Sequence, residues 1–288
     1  MSWVCPACLG RLAPSTGGPV CADCGATYPV RDGVTDLRLA AAMTPHMRKV
    51  AAEWDDLAAA YRAMVRGLGA RTEEIDRPLL EIASGDILEV GCGDGRLLLK
   101  LPARSARSVR GCDISAAMAA VAVGRGLDVV VAPAERLPLP DRSVDTYLSG
   151  YYALRHADLD RSCAEMARVL RPGGRFGITL LGQRAVRAAA VVASLGGLWR
   201  AEHRWSAARE LITFGGSFVA PNDVRSSART RATLARHGLR LTRVSGFPRL
   251  PVLSEFLHRL GISMPRLDGD AAVPVSYDIV VIGTREVG

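Results

Sequence analysis

Ile87-Leu-Glu-Val-Gly-Cys-Gly-Asp-Gly-Arg96 decides how this chain folds, because a short apolar run empties there into three glycines at alternate positions. Ile87, Leu88 and Val90 have the composition of a buried strand. Gly91, Gly93 and Gly95 permit a tight turn and a close backbone approach to a ligand where a side chain would collide. A helical pattern follows. A second apolar segment, Ser108 to Cys112, ends in Asp113, about two dozen residues after Glu89. A carboxylate placed there can take both ribose hydroxyls of an adenosine-bearing ligand. The third glycine falls one position too early for the G-x-G-x-x-G spacing of dinucleotide sites.

Further along, Ala132-Pro-Ala-Glu-Arg-Leu-Pro-Leu-Pro-Asp-Arg-Ser-Val-Asp145 leads into an apolar strand, and Val169-Leu-Arg-Pro-Gly-Gly174 forms a turn before another. Together with Glu89–Gly95 and Cys112-Asp-Ile-Ser115, these are four ordered motifs that resemble class I S-adenosylmethionine (SAM)-dependent methyltransferases, over roughly residues 41–288. The resemblance implies an α/β fold with a Rossmann-like seven-stranded methyltransferase sheet and SAM as cofactor. It also implies a set of cofactor contacts: Tyr61, Glu89, Gly91, Cys92, Gly93, Gly95, Asp113, Ile114, Met118, Ala134, Glu135, Ser149 and Gly150. Many relatives carry Asp where this chain has Pro133, so the adenine contact falls to Ala134 or Glu135.

Cys5-Pro-Ala-Cys8 and Cys21-Ala-Asp-Cys24, twelve residues apart, supply four thiolates with the spacing zinc prefers. A segment this short cannot build its own apolar core, so Zn2+ would contribute most of its folding free energy. Disulfides or redox pairs are the competing reading; a reducing compartment and the lack of a βαβ unit after either pair weigh against them. Gly25 to Leu37 alternates apolar and polar residues and turns at Asp32-Gly33, a hairpin closing the ribbon. Residues 5–37 resemble the zinc ribbon of small activator proteins that dock on methyltransferases. A ribbon ahead of a SAM domain also resembles the ribosomal RNA guanine-N1 methyltransferases. The expected organisation is a ribbon over 1–40, lid helices over 41–83, and a SAM-binding domain over 84–288 with a cap insertion at about 183–220.

In the lid, Val50, Trp54, Leu57, Ala58, Tyr61, Val65 and Leu68 fall at helical spacing, and the resemblance places Tyr61 near the sulfonium; the same stripe can equally pack the helix onto the sheet. The end of the fourth strand delivers Tyr151 and His156 to the ligand edge, the candidate catalytic residues. His156 can act as base if the acceptor must lose a proton, or can simply be an imidazole at a helix start. Tyr152 and His203 are weaker candidates. Cys92, Cys112 and Cys163 read as buried small residues.

The chain has 288 residues, 49% of them hydrophobic, and no run of eighteen apolar residues, so a cytoplasmic protein with no membrane span is expected. Arginine dominates the cations, 35 against two lysines. Residues 184–249 hold twelve arginines against Glu202, Glu210 and Asp223, a net +9, whereas residues 1–40 balance three arginines with three aspartates. An RNA enzyme should carry its basic surface on the ribbon. The sequence therefore leans toward a small-molecule acceptor, a metabolite or natural product. Structured RNA remains the alternative, and a partner or carrier protein docked through the ribbon a third reading.

Overall fold

The computed structural model describes residues 2–66, 69–101, 104–183, 227–247, 266–273, 276 and 278–287, the side chains of 62–71 excepted. The expected cap beyond Gln183, His203, and the segment 251–275 apart from 266–273 lie outside the described residues. The described strands are β1 (Leu12–Ala13), β2 (Val20–Cys21), β3 (Val30–Arg31), β4 (Val34–Asp36), β5 (Gly85–Val90), β6 (Ala106–Asp113), β7 (Val129–Val131), β8 (Val144–Ser149), β9 (Leu170–Leu181), β10 (Leu239–Phe247), β11 (Leu267–Asp268) and β12 (Asp278–Arg285). The α-helices are α1 (Pro45–Arg66), α2 (Gly69–Ile82), α3 (Ala116–Val123), α4 (Leu159–Val169) and α5 (Ser227–Ala235).

β5 is buried from Asp86 to Val90, with no polar alternation, because it has parallel neighbours on both edges, β6 and β8, and helices over both faces. Around it the sheet runs β11-β10-β12-β9-β8-β5-β6-β7-β4-β3. The seven strands from β10 to β7 form the expected Rossmann-like methyltransferase sheet. β12 lies antiparallel between β9 and β10. Chain order reverses between β5 and β8, and a ligand crevice opens outside the carboxyl ends of the strands at such a switch point.

Two features depart from the sequence reading. The hairpin β3–β4 does not stop at the ribbon: β4 pairs in parallel with β7, adding two strands to the sheet, and β11 beside β10 makes the tenth. Its side chains join the main core, Val34 packing with Cys92, Ala119 and Val131, and Tyr28 and Leu37 with Val130 and Leu137. The apolar core that residues 1–40 lack is thus supplied by the sheet. The fifth core strand, expected from Arg175, begins at Leu170. The register shifts between the pairs Val144↔Leu170 and Thr146↔Arg175, so the Pro172-Gly173-Gly174 turn is absorbed as an irregularity, with Gly173 at φ 77°.

Caps and buried stripes set the helices over the crevice. Ser115 ends β6's loop and caps α3, its Oγ accepting from Met118 N at 3.1 Å. Asp158 caps α4 by accepting from Arg161 N at 3.1 Å. The Asp55 carboxylate of α1 accepts from Ser115 Oγ at 2.6 Å and Ala117 N at 3.0 Å, which docks the lid helix on the amino end of α3. In α2, Ile75, Leu79 and Ile82 are buried at four- and three-residue spacing against Ile87, Leu148 and Val280.

Gly91 turns the chain out of β5 at φ 69°, and a Cβ there would sit 2.1 Å from the Ala153 Cβ. Gly91→Ala is therefore expected to lower stability by about 2–4 kcal/mol, adding left-handed strain to overpacking. Denaturant unfolding checks this: an unchanged midpoint would mean that the loop shifts freely.

Candidate functional site

The loops leaving β5, β6, β7 and β8 at their carboxyl ends, together with α1, border an open cleft whose empty space, the solvent mouth included, is about 920 Å³. Of the residues singled out in the sequence, Tyr61, Gly91, Cys92, Gly93, Asp113, Ile114, Met118, Ala134, Glu135, Tyr151 and His156 line this cavity. Four others stand behind its wall. Gly95 is at φ 77°, and a Cβ on it would sit 2.1 Å from Leu127 Cδ1. Ser149 donates from Oγ to Val90 O at 2.9 Å. Gly150 leaves room for Glu89, whose Oε1 would lie 3.3 Å from a Cβ at that position. Glu89 itself is 1% exposed.

The two carboxylates differ in how they are satisfied. Asp113 accepts from Gly93 N and Ser115 N, both at 2.8 Å, which fixes its side chain at the crevice. Burial pushes its pKa up to about 6 despite those bonds. Neither oxygen of Glu89 has a hydrogen-bond partner. Burial first, then the nearby charges of Asp76 and Asp113, raise its carboxyl well above the ordinary range. A buried carboxyl without donors is costly when ionised, so this site is poised to receive a cation or a donor.

Opposite the glycine loop, Tyr151 and Tyr152 both take left-handed backbone angles, φ 49° and 64°. Tyr152 N donates to Thr179 Oγ1 at 2.9 Å and its hydroxyl to Asp278, which hold the turn. The Tyr151 hydroxyl donates to Asp76 Oδ2 at 2.7 Å, which also meets Lys100 Nζ at 2.7 Å, while the Arg96 guanidinium lies 3.9 Å from the ring centroid. On the lid, Trp54 and Tyr61 meet edge to face with centroids 5.7 Å apart. Burial pushes the Tyr61 hydroxyl up to about 12, so it stays protonated. His46 Nε2 donates to the His156 carbonyl at 2.8 Å, joining the start of the lid to the short helical turn Ala153–His156. Glu135 accepts from Asp158 N at 2.9 Å, which ties the segment after β7 to α4.

Asp55, Asp76, Arg96 and His46 were not singled out in the sequence. Only Arg96 carried a signal, standing directly after the third glycine. The others are ordinary helix residues whose partners lie 24 to 110 positions away.

In the amino-terminal ribbon, the Sγ atoms of Cys5, Cys8, Cys21 and Cys24 lie within 4.8 Å of one another. Cys5 and Cys24 are 3.7 Å apart, and Cys8 and Cys21 3.4 Å. A tetrahedron with Zn–S bonds of about 2.3 Å has sulfur–sulfur edges of roughly 3.8 Å, so the donor set fits zinc. Burial opposes ionisation of the Cys5 thiol, but hydrogen bonds from the Tyr28 hydroxyl at 3.0 Å and from nearby backbone bring its pKa to about 6.

Residues 88–178 match the family model of a methyltransferase domain. An uncharacterised protein of Methanocaldococcus jannaschii is 36% identical over 129 residues, 44% of this chain and 49% of that protein. Malonyl-[acyl-carrier protein] O-methyltransferase of Methylococcus capsulatus is 32% identical over 136 residues, 47% of this chain and 45% of that enzyme. The chain thus spans about half the length of the curated relatives it matches. A SAM-dependent methyltransferase structure from Thermotoga maritima, 20% identical, covers 82% of this chain and 99% of its own with a TM-score of 0.56, a likeness of fold. Residues 88–178 thus match a methyltransferase domain, and the fold around them is like that of a solved SAM-dependent methyltransferase.

Proposed function

We propose that this chain transfers the methyl group of SAM to a small-molecule acceptor, and that Cys5, Cys8, Cys21 and Cys24 hold a structural zinc ion. The observation that carries the acceptor reading is the cavity wall: among the described residues it is lined by Trp54, Tyr61, Tyr151, Tyr152, His46 and His156, with no arginine or lysine. Such a wall suits a flat or apolar molecule, whereas a nucleic-acid strand needs cations along its path. The Methylococcus capsulatus relative, named for a malonyl group on a carrier protein, is in keeping with an acceptor of that size.

Bound SAM supplies an electrophilic methyl on a sulfonium. The chain's own task is to hold acceptor and methyl in line and to keep water away. In this reading Asp113 grips the ribose, Ile114, Met118 and Ala134 flank the adenine, and Glu135 accepts from its amino group. The backbone of Gly91 to Gly93 lies against the amino-acid tail, and Glu89 supplies the negative charge opposite its ammonium. Gly95, Ser149 and Gly150 shape the wall behind. Tyr61 closes over the reacting centre from the lid, Tyr151 orients the acceptor, and His156 takes a proton where the acceptor has one to lose.

The test is calorimetry with SAM and its demethylated product, S-adenosylhomocysteine (SAH), followed by transfer of a tritiated methyl to candidate acceptors. Binding of one SAH per chain with label in a small-molecule fraction is the expected result. Label in ribosomal RNA, with affinity falling steeply as salt rises, would overturn the acceptor reading. No α-helix among the described residues is long and apolar enough to cross a membrane.

A further inference from the structure

We propose that the cysteine ribbon is a built-in effector of the cofactor pocket, with Arg136 and Arg38 as positioning residues, so that metal loading of the ribbon tightens cofactor binding. This rests on the SAM and zinc readings above. Two loops bound the adenosine side of the cavity, that after β6 (Asp113, Ile114) and that after β7 (Ala132 to Glu135). Each is held from the outside by the ribbon.

Beyond β7, the neighbouring strand is supplied by the ribbon. β4 pairs with it through Thr35↔Val130 and Asp36↔Val131, and Leu37 N donates to Val131 O at 2.9 Å. The very next residue, Ala132, enters the cavity wall. Past that loop, Arg136 reaches back to the first cysteine knuckle, its Nε donating to Pro6 O at 2.5 Å and a terminal nitrogen to Ala7 O at 3.2 Å. Val4 N donates to Pro138 O at 3.0 Å, so the knuckle is fastened on both sides of Leu137. Pro6 and Ala7 are the residues between Cys5 and Cys8, and their carbonyls face Arg136 only while that knuckle keeps its turn. On the β6 side, Arg38 is clamped by Asp36 at 2.6 and 2.9 Å and donates to Ile114 O at 3.1 Å.

The coupling follows from ordering. A loop already fixed by strand pairing and by fork-shaped donors loses less freedom when a ligand arrives, and so binds it more tightly. Cysteine knuckles of this length keep their turn chiefly through the metal. Releasing it frees the carbonyls of Pro6 and Ala7 and loosens the segment that Arg136 anchors. Arg136 is exposed, so its own share is modest; strand pairing and the shared core carry the larger part.

The experiment measures SAH affinity by calorimetry on the full chain carrying one zinc, on the same protein stripped by a chelator, and after refilling. Amide exchange is followed in parallel. Stripping should raise the Kd about tenfold, with recovery on refilling. Arg136→Ala, with its zinc retained, should raise it about threefold, and Arg136→Lys by less, because one donor remains. Exchange should quicken over 113–116 and 130–137 but not in β12. If stripping unfolds the chain, the Arg136 variants decide. SAH affinity within twofold of the parent in both Arg136→Ala and folded metal-free protein overturns the coupling, as does full affinity in a chain that never takes up zinc. A zinc-loaded parent that ignores SAH overturns the cofactor reading itself, and this one with it.

Discussion

Asp113→Ala is expected to abolish measurable SAH binding, a loss of at least a hundredfold. Hydrogen bonds to a charged group contribute about 1.5–3 kcal/mol each, and two ribose hydroxyls would share this carboxylate. The substitution also strips Gly93 N and Ser115 N of their acceptor, so the glycine loop and the start of α3 loosen together. Titration gives a second handle. With the Asp113 pKa near 6, affinity should be level above about pH 7 and fall toward tenfold per unit below 6, as the carboxylate takes up a proton. Stability runs the other way. A folded pKa raised above the ordinary 3.8 favours the fold most at low pH, and that contribution is lost as pH rises through about 6. The ligand-free chain should thus melt higher at pH 5.5 than at pH 7.5, while SAH binds more weakly there. Affinity that is flat from pH 5 to 8 would remove Asp113 from the ribose.

The other large effect is at Glu89. Glu89→Gln should weaken SAH by about a hundredfold, because the amide offers no charge to the ammonium. It should leave the ligand-free fold nearly unchanged, since burial already holds the carboxyl toward its neutral form. Ionising it on binding must release a proton. Calorimetry in buffers of different ionisation heat should therefore show proton release between about pH 7, where Asp113 is already ionised, and the raised pKa of Glu89, and none over that range in the glutamine variant. Proton uptake, or equal release in both, would place the ammonium elsewhere.

Much of this was written locally in the chain. Ile87 to Arg96 announces a strand, a turn and a cradle within ten residues, and Asp113 follows at the end of the next strand, although the helical pattern read after Gly95 forms, among the described residues, only turns and one short helical turn, Leu98–Lys100. The knuckles Cys5–Cys8 and Cys21–Cys24 announce themselves by spacing alone. What stayed hidden depends on pairs far apart in sequence whose residue types are ordinary. Nothing in Val34-Thr-Asp36 says that it will lie beside Val129–Val131, because a two- or three-residue strand has no periodicity to read. Arg136 and Pro6 are 130 positions apart, and an arginine reaching for a carbonyl leaves no trace in composition. The early start of β9 was masked by Pro172-Gly173-Gly174, which reads as a stop whether or not the ladder resumes across it.

Among the described residues, the ten-stranded sheet is bordered on one side by β3 and on the other by β11, each two residues long. An exposed long edge is an invitation for another chain to add a strand, and from there for ordered aggregates to grow. By laying its own amino-terminal hairpin along β7, this protein ends its sheet on a stub that offers an incoming strand only a couple of backbone bonds. The same hairpin thereby guards the protein against clumping at high concentration.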